Sequence, residues 1–191
     1  MDVGPDSSTR VFTLPEMDGL SSTYFVSLRL ESSGDLVSRN FYWLSTRAET
    51  LDWERSDRDE SGQYQISTWT PTKDFADYAA LNTLPQVDLK VSARSGRDES
   101  ASSTTVTLRN PSRTLAFGIR LKVNRMTSGR VSRYVLTDNE VLPVLWQDNY
   151  FPLLPGESRQ VTATYKTKDL GRSAPVVEVE GWNVKTKLVQ P

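Results

Sequence analysis

Two carboxylates are enough to cleave a glycosidic bond, and Glu178 and Glu180 stand two apart in Val177-Glu178-Val179-Glu180. On a strand that spacing puts both on one face. A retaining glycosidase holds such a pair about 5 Å apart, flanking the scissile bond. The same alternation also describes a solvated outer face opposite inward-facing Val177 and Val179. Asp138, Glu140 and Asp148 surround an apolar run and carry the oxygen ligands that calcium accepts. They lack EF-hand spacing, and aspartates are ordinary in turns, so no metal site is read from them. The aromatics form a third group. Trp146, Tyr150 and Phe151 cluster around the polar Gln147-Asp148-Asn149, and Trp182 follows Gly181, where a bulge would turn its ring outward. Sugars stack on exposed aromatic faces, which makes Trp146, Asp148, Tyr150 and Trp182 the carbohydrate-contact candidates. Rings of this size also fill cores or pack against neighbouring domains. Trp53 and Trp69 stand in a polar stretch where packing against another domain is as good a reading.

What is absent narrows the chemistry further. The 191 residues include no His and no Cys. Ser–His–Asp and Cys–His mechanisms are therefore excluded, together with disulfides and Cys-ligated zinc. Only carboxylate, Lys or Tyr chemistry remains. Neither GxGxxG nor GxxxxGK[ST] occurs, and nothing calls for a cofactor. Lys plus Arg number 23 against 24 Asp plus Glu, so no basic stripe marks the chain for nucleic acid or an anionic membrane surface. No apolar run approaches the roughly 20 residues of a membrane-spanning helix. The absence of Cys fits both a cytosolic protein and a secreted domain that is stable without disulfides. Residues 1–10 are polar and lack the apolar core of a signal peptide. The one Asn-x-Ser triplet considered, Asn110-Pro111-Ser112, carries the forbidden proline.

The elements that must position these residues read as strands. Val26, Leu28 and Leu30 alternate with polar residues, Ser32-Ser33-Gly34-Asp35 signals a turn, and residues 37–44 form a second, aromatic-rich strand. A lone hairpin is marginal in water, so this one is expected to complete a sheet whose other strands lie elsewhere. A charged loop is read at 55–63. After it, Phe75, Tyr78, Ala79 and Leu81 have helical spacing, with Thr72 as a cap and Pro85 as a stop. From residue 86 the alternation becomes regular: Val87, Leu89 and Val91; Thr104, Val106 and Leu108; Phe117, Ile119, Leu121 and Val123; Val161, Ala163 and Tyr165; Val177 and Val179. The apolar run 141–146 reads as a central strand. About six or seven short strands in roughly 100 residues, separated by turn clusters, is the pattern of an immunoglobulin-like sandwich. The Cys…Trp…Cys signature of antibody domains is missing. The expected fold is all-β: a sandwich over 86–191, preceded by a connector with a short helix over 47–85 and a partial β-domain over 1–46.

Several phrases resemble the C-terminal region of exo-β-D-glucosaminidases and related β-mannosidase-type enzymes of glycoside hydrolase family 2. They are Ser38-Arg39-Asn40-Phe41-Tyr42-Trp43-Leu44, then Asp74-Phe75-Ala76-Asp77 through Leu81-Asn82-Thr83-Leu84-Pro85. Val141-Leu142-Pro143-Val144-Leu145-Trp146, Asp148-Asn149-Tyr150-Phe151, Leu153-Leu154-Pro155-Gly156-Glu157-Ser158 and Val177-Glu178-Val179-Glu180-Gly181-Trp182-Asn183-Val184 follow in order. The resemblance implies that residues 1–46 are the last strands of one Ig-like domain and 86–191 the final Ig-like domain. The catalytic glutamates of such enzymes belong to a barrel, so no catalytic residue carries over to this chain. A barrel needs at least about 200 residues with alternating strands and helices. The implied partners are that barrel and a chitosan or other β-linked glycan, and the implied location is extracellular. The chain is short for the family, as a fragment or processed product would be. A stand-alone carbohydrate-binding module, a protein-interaction module and an unrecognised glycosidase are the competing readings.

Overall fold

The computed structural model describes residues 3–55, 63, 70–126 and 139–191. Trp69, Asp138 and most of the charged run at 55–63 lie outside the described residues. The chain divides into two units, Met1–Asn82 and Thr83–Pro191. No helix among the described residues is long and apolar enough to cross a membrane.

In the first unit the aromatic-rich hairpin forms as β1 (Thr23–Ser32) and β2 (Asp35–Ser45). Ser32 pairs with Asp35 across a two-residue turn in which Ser33 and Gly34 both have positive φ, 52° and 89°. That is the turn whose twist matches the strands it joins. Phe25 and Phe41 stack across the pair at 5.5 Å. Among the described residues this sheet has two strands, and Leu36, Val37, Tyr42 and Trp43 are exposed on it. A second small sheet pairs β3 (Thr50–Leu51) with β4 (Thr72–Asp74). Thr72 therefore belongs to a strand and caps no helix. The helical turn begins later, as a 3₁₀ turn over Ala79–Thr83. The Asp77 carboxylate accepts the N–H of Ala79 at 2.9 Å, and the Asp77 N–H is held by the Ser45 hydroxyl at 3.0 Å. These side-chain bonds offer the backbone an alternative to an α-helix starting at residue 74.

Among the described residues the second unit is a sandwich of two four-stranded antiparallel sheets. Its strands are β5 (Lys90–Arg97), β6 (Ala101–Arg109), β7 (Ala116–Arg125), β8 (Leu145–Trp146), β9 (Phe151–Leu153), β10 (Ser158–Lys166), β11 (Pro175–Gly181) and β12 (Val184–Val189). A single helical turn, α1 (Thr167–Leu170), follows β10. One sheet has the order β5-β6-β10-β8 and the other β12-β11-β7-β9. The chain thus changes sheet at every connection from β6 to β11, and β10 lies beside β6 rather than beside β9. This crossing pattern is immunoglobulin-like. The period-2 alternation decides which side chains face inward. Val106, Leu108 and Val161 of one sheet meet Ile119, Leu121, Val177 and Val179 of the other in a continuous buried cluster. Burying each such side chain stabilises the fold by roughly 1.5–3 kcal/mol.

The run 141–146 departs from its expected role. Val141 is buried and its N–H bonds the Val123 carbonyl at 2.8 Å. Only Leu145–Trp146 forms a strand, and it sits at the sheet edge beside β10. Pro143 has no N–H to give a ladder, which keeps it out of a central strand. Leu142 and Leu145 project into solvent, Leu145 at 74% exposure.

Buried asparagines tie the loops to this frame. Asn183 is 1% exposed. Its Nδ2 donates to the carbonyls of Pro85 and Leu115, both at 2.8 Å, and its Oδ1 accepts the Phe117 N–H at 2.8 Å. Asn110 donates to the carbonyls of Thr114 and Leu153. Replacing Asn183 by Ala takes away three hydrogen bonds to backbone groups, at a cost of about 1–3 kcal/mol for each group left unsatisfied. The expected result is a loss of about 3 kcal/mol or more, read from urea unfolding of the full chain.

The β5–β6 turn depends on a charge. The Asp98 carboxylate accepts the N–H of Ala101 at 2.6 Å and of Ser100 at 2.8 Å. These bonds, that from Ala101 first, hold its carboxyl below the usual aspartate range. A lowered carboxylate contributes stability that is complete above its unfolded pKa and fades as the pH falls through the folded value. Wild-type thermal stability should therefore drop below about pH 4 more steeply than that of Asp98→Asn. Parallel acid titrations of the melting temperature check this.

Candidate functional site

The candidate residues separate by sheet and by face. Trp146 in β8 pairs with Ala163 of β10, and its half-buried side chain packs against both buried clusters of the sandwich. Asp148 forms an ion pair with Arg159, whose guanidinium lies 4.2 Å from the centre of the Phe151 ring. These two residues brace the β8–β9 connection. Trp53 is exposed in a 3₁₀ turn over Trp53–Arg55 of the first unit.

Tyr150 and Trp182 instead belong to the outer face of the β12-β11-β7-β9 sheet. Phe151 pairs with Ile119, which places Tyr150 across from Arg120, and Arg120 pairs with Glu180. Tyr150, Arg120 and Glu180 thus form one row across three strands. The Arg120 guanidinium is 5.8 Å from the Tyr150 ring centre and 3.3 Å from Glu180. Trp182 occupies the next row. Its N–H bonds the Phe117 carbonyl at 2.9 Å, and a Cβ on Gly118 would lie 3.8 Å from the Trp182 Cβ. Gly118 has φ of 63°, and a Cβ on Gly181 would meet Val184 at 2.9 Å. Only glycine satisfies both places, the first by its left-handed backbone and the second by close approach. Together they set the Trp182 side chain on the outer face, where it is 56% exposed, with Tyr150 at 65%. Asn149 holds the Tyr150 end by bonding both the N–H (2.8 Å) and the carbonyl (3.0 Å) of Leu121.

Glu178 and Glu180 do share this face, and a cation lies between them. The Lys122 ammonium is 2.7 Å from Glu180 and 3.5 Å from Glu178. The Asn124 amide donates to Glu178 at 2.9 Å. Lys122 is only 6% exposed although it points outward. A retaining pair needs the space between its carboxylates for the scissile bond. Here that space holds an ammonium, so the arrangement is an ion network and not a catalytic pair. Glu140 faces Arg120 at 3.9 Å while Asp148 faces Arg159, so the two do not converge on a common point. Among the described residues, no three acidic groups are placed to hold a metal ion.

Lys122, Arg120 and Asn149 organise this face, and none was singled out from sequence. Lys122 and Arg120 alternate with buried Leu121 as any surface charge would, and only the register against β11 shows what they meet. Asn149 had a weak signal, an asparagine in the turn cluster Gln147-Asp148-Asn149.

An all-β sandwich with Greek-key crossings and an ion-paired outer face defines an immunoglobulin-like module. Residues 67–184 match the family model described as the exo-β-D-glucosaminidase Ig-fold domain, and the chain belongs to that family. It is 39% identical over 189 residues to an exo-β-D-glucosaminidase of Streptomyces avermitilis, covering 97% of this chain and 19% of that protein. It is 42% identical over 180 residues to one of Amycolatopsis orientalis, covering 93% of this chain and 16% of that protein. The crystal structure of the Amycolatopsis orientalis exo-chitosanase CsxA superposes with a TM-score of 0.77 at 42% identity, over 94% of this chain and 19% of the other. The chain therefore spans about a fifth of the length of the relatives it matches.

Lys122→Ala would leave two carboxylates facing each other without their shared cation. Removing one partner of a buried ion pair costs about 3–5 kcal/mol. With Glu178 and Glu180 partly solvated, the lower end, about 3 kcal/mol, is expected from urea unfolding.

Proposed function

We propose that this chain is a non-catalytic accessory module of a larger exo-β-D-glucosaminidase, in which it buttresses a catalytic barrel that lies elsewhere in the enzyme. The observation that carries the reading is the Lys122 ammonium between Glu178 and Glu180, which removes the best-spaced carboxylate pair from service. The absence of His and Cys leaves few other routes to catalysis. The reaction of the complete enzyme in this reading is exo-hydrolysis of β-linked glucosamine residues of chitosan with retention. Residues 1–46 then supply strands of one Ig-like domain, and residues 86–191 form another. The two-stranded β1–β2 sheet, with Leu36, Val37, Tyr42 and Trp43 exposed, supports this part of the proposal. A hairpin of that kind gains stability when further strands cover its apolar side.

A chimera tests the reading. The segment of the Amycolatopsis orientalis enzyme that this chain matches is either deleted or replaced by this chain. Deletion is expected to abolish hydrolysis of p-nitrophenyl β-D-glucosamine, and replacement to restore most of it, while the isolated chain turns over no substrate. Turnover by the isolated chain, lost on Glu178→Gln, would overturn the proposal. Full activity and unchanged melting temperature after deletion would do the same.

A further inference from the structure

We propose that the outer face of the β5-β6-β10-β8 sheet is a docking surface for a linear glycan that carries carboxylates, a uronate polymer, engaged through Lys90, Arg94 and Arg109. This goes beyond the accessory-module reading and does not depend on it. None of the four strands of this sheet contains an Asp or a Glu. Lys90, Arg94, Arg109 and Lys166 stand at exposed outward positions. Among the described residues, no carboxylate forms an ion pair with any of them. The other cations of the sheet are engaged. Arg97 donates to the Gly171 carbonyl at 3.1 Å, and Arg159 pairs with Asp148.

Strand register adds an independent observation. Lys90 and Arg109 are direct cross-strand partners, and Ser158 completes their row. Like charges directly opposite one another destabilise a sheet. The β12-β11-β7-β9 sheet answers Arg120 and Lys122 with Glu180 and Glu178. The Lys90–Arg109 pair has no such answer from its own sheet. An anion seated between the two relieves a repulsion that the fold leaves in place. The Arg109 guanidinium is a planar fork that matches a carboxylate, and the neighbouring Ser158 hydroxyl is a further donor.

Spacing decides between classes of polyanion. Arg94 lies four residues along β5 from Lys90, about 13 Å at the usual rise of a strand, and Lys166 lies eight residues along β10 from Ser158, about 26 Å. The outward residues between these cations are Ser, Thr, Gln and Gly, which make a low, hydroxyl-rich floor. The Thr105 and Thr162 hydroxyls bond each other at 3.1 Å, and the Gln160 amide donates to Thr107 at 3.3 Å. A hydroxyl has one donor and two acceptor positions, so such bonds leave capacity for the hydroxyls of a sugar. Duplex DNA carries a charge about every 1.7 Å, far denser than these cations, and no aromatic ring stands at an outward position of β5, β6 or β10 for bases to stack on. A protein partner calls for an interface core depleted in Lys and Ser, the opposite of this face. A uronate polymer has carboxylates separated by hydroxyl-bearing stretches, which is the complement of this surface.

The test is an amide NMR titration of the full 191-residue chain with a β-1,4-linked mannuronate hexamer. The same hexamer with its carboxyl groups reduced, and a single-stranded DNA hexamer, are the controls. Expected are weak-affinity shifts concentrated at Lys90, Ser92, Arg94, Thr107 and Arg109, with little response to the reduced hexamer and a weaker one to DNA. The shifts should shrink as the ionic strength rises from about 0.01 M to about 0.15 M, where the Debye length falls from about 30 Å to about 8 Å. Lys90→Gln, Arg94→Gln and Arg109→Gln should each weaken binding about three-fold, the worth of one exposed ion pair. Arg109→Lys should retain more binding than Arg109→Gln. The melting temperature of Lys90→Gln should hold or rise, because the substitution removes a like-charge pair. A fall in that temperature would overturn the unrelieved pair on which the site rests. Unshifted spectra, shifts confined to other surfaces, equal binding of the reduced hexamer, or equal or tighter binding of DNA would overturn the assignment. A working chimera combined with unshifted spectra would overturn this inference and leave the accessory-module reading intact, and a failed chimera with shifts at this face would do the reverse.

Discussion

The Asn183 side chain closes three backbone groups, one of them inside β7. Pro85 lies at the entrance to the sandwich, Leu115 immediately precedes β7, Phe117 is its second residue, and Asn183 itself sits in the β11–β12 turn. A buried amide or carbonyl without a partner is costly, so one side chain that satisfies three of them locks three chain segments into one arrangement. The Val87 N–H then bonds the Asn183 carbonyl at 2.7 Å, and the Lys185 N–H bonds Val87 at 2.9 Å. The start of the unit is thereby stitched to β12. With Asn183 inward, Trp182 has only the outward direction left, and Gly118 and Gly181 provide the clearance. The placement of the most exposed tryptophan of the sandwich thus follows from a buried hydrogen-bond requirement one residue away.

A similar dependence governs the charged face. Lys122 lies between two inward residues of β7 and points outward, yet it is nearly enclosed. An ammonium with that little solvent is sustained by charges that replace its hydration, and Glu178 and Glu180 provide them from β11. The antiparallel register of β7 with β11 places these residues opposite one another, since Lys122 pairs with Glu178 and Arg120 with Glu180. What resembles a spaced pair of catalytic carboxylates in one strand is therefore a cross-strand ion lattice in the sheet. Cross-strand pairs of opposite charge are a usual means of stabilising a solvated sheet face.

The two units carry different kinds of surface. The sandwich has a continuous core, and its edge strand β8 is two residues long, which limits unwanted pairing. The β1–β2 hairpin is longer and displays apolar and aromatic side chains. The chain spans about a fifth of the length of the relatives it matches.

The strand pattern of the sandwich could be read directly from residues. The alternations at Val106-Leu108, Ile119-Leu121, Val161-Ala163 and Val177-Val179 each place one side of a strand in the core, because the period of a strand is two whatever its partners are. The order of the quoted motifs also sufficed to indicate the family. Local patterns failed where another segment competed for the same backbone. Thr72 joined a strand instead of capping a helix because β3 was available to pair with it, and Pro143 kept an apolar run from becoming a central strand. The four carbohydrate candidates were equivalent as aromatic or polar residues near turns. Tertiary structure alone divided them, sending Trp146 against the core and Asp148 to Arg159 while placing Tyr150 and Trp182, both exposed, on the outer face of the other sheet. Sequence determines the periodicity of each strand, which is a local property of the backbone. Register, and with it which charge meets which and which ring stays exposed, is decided only when distant strands pair.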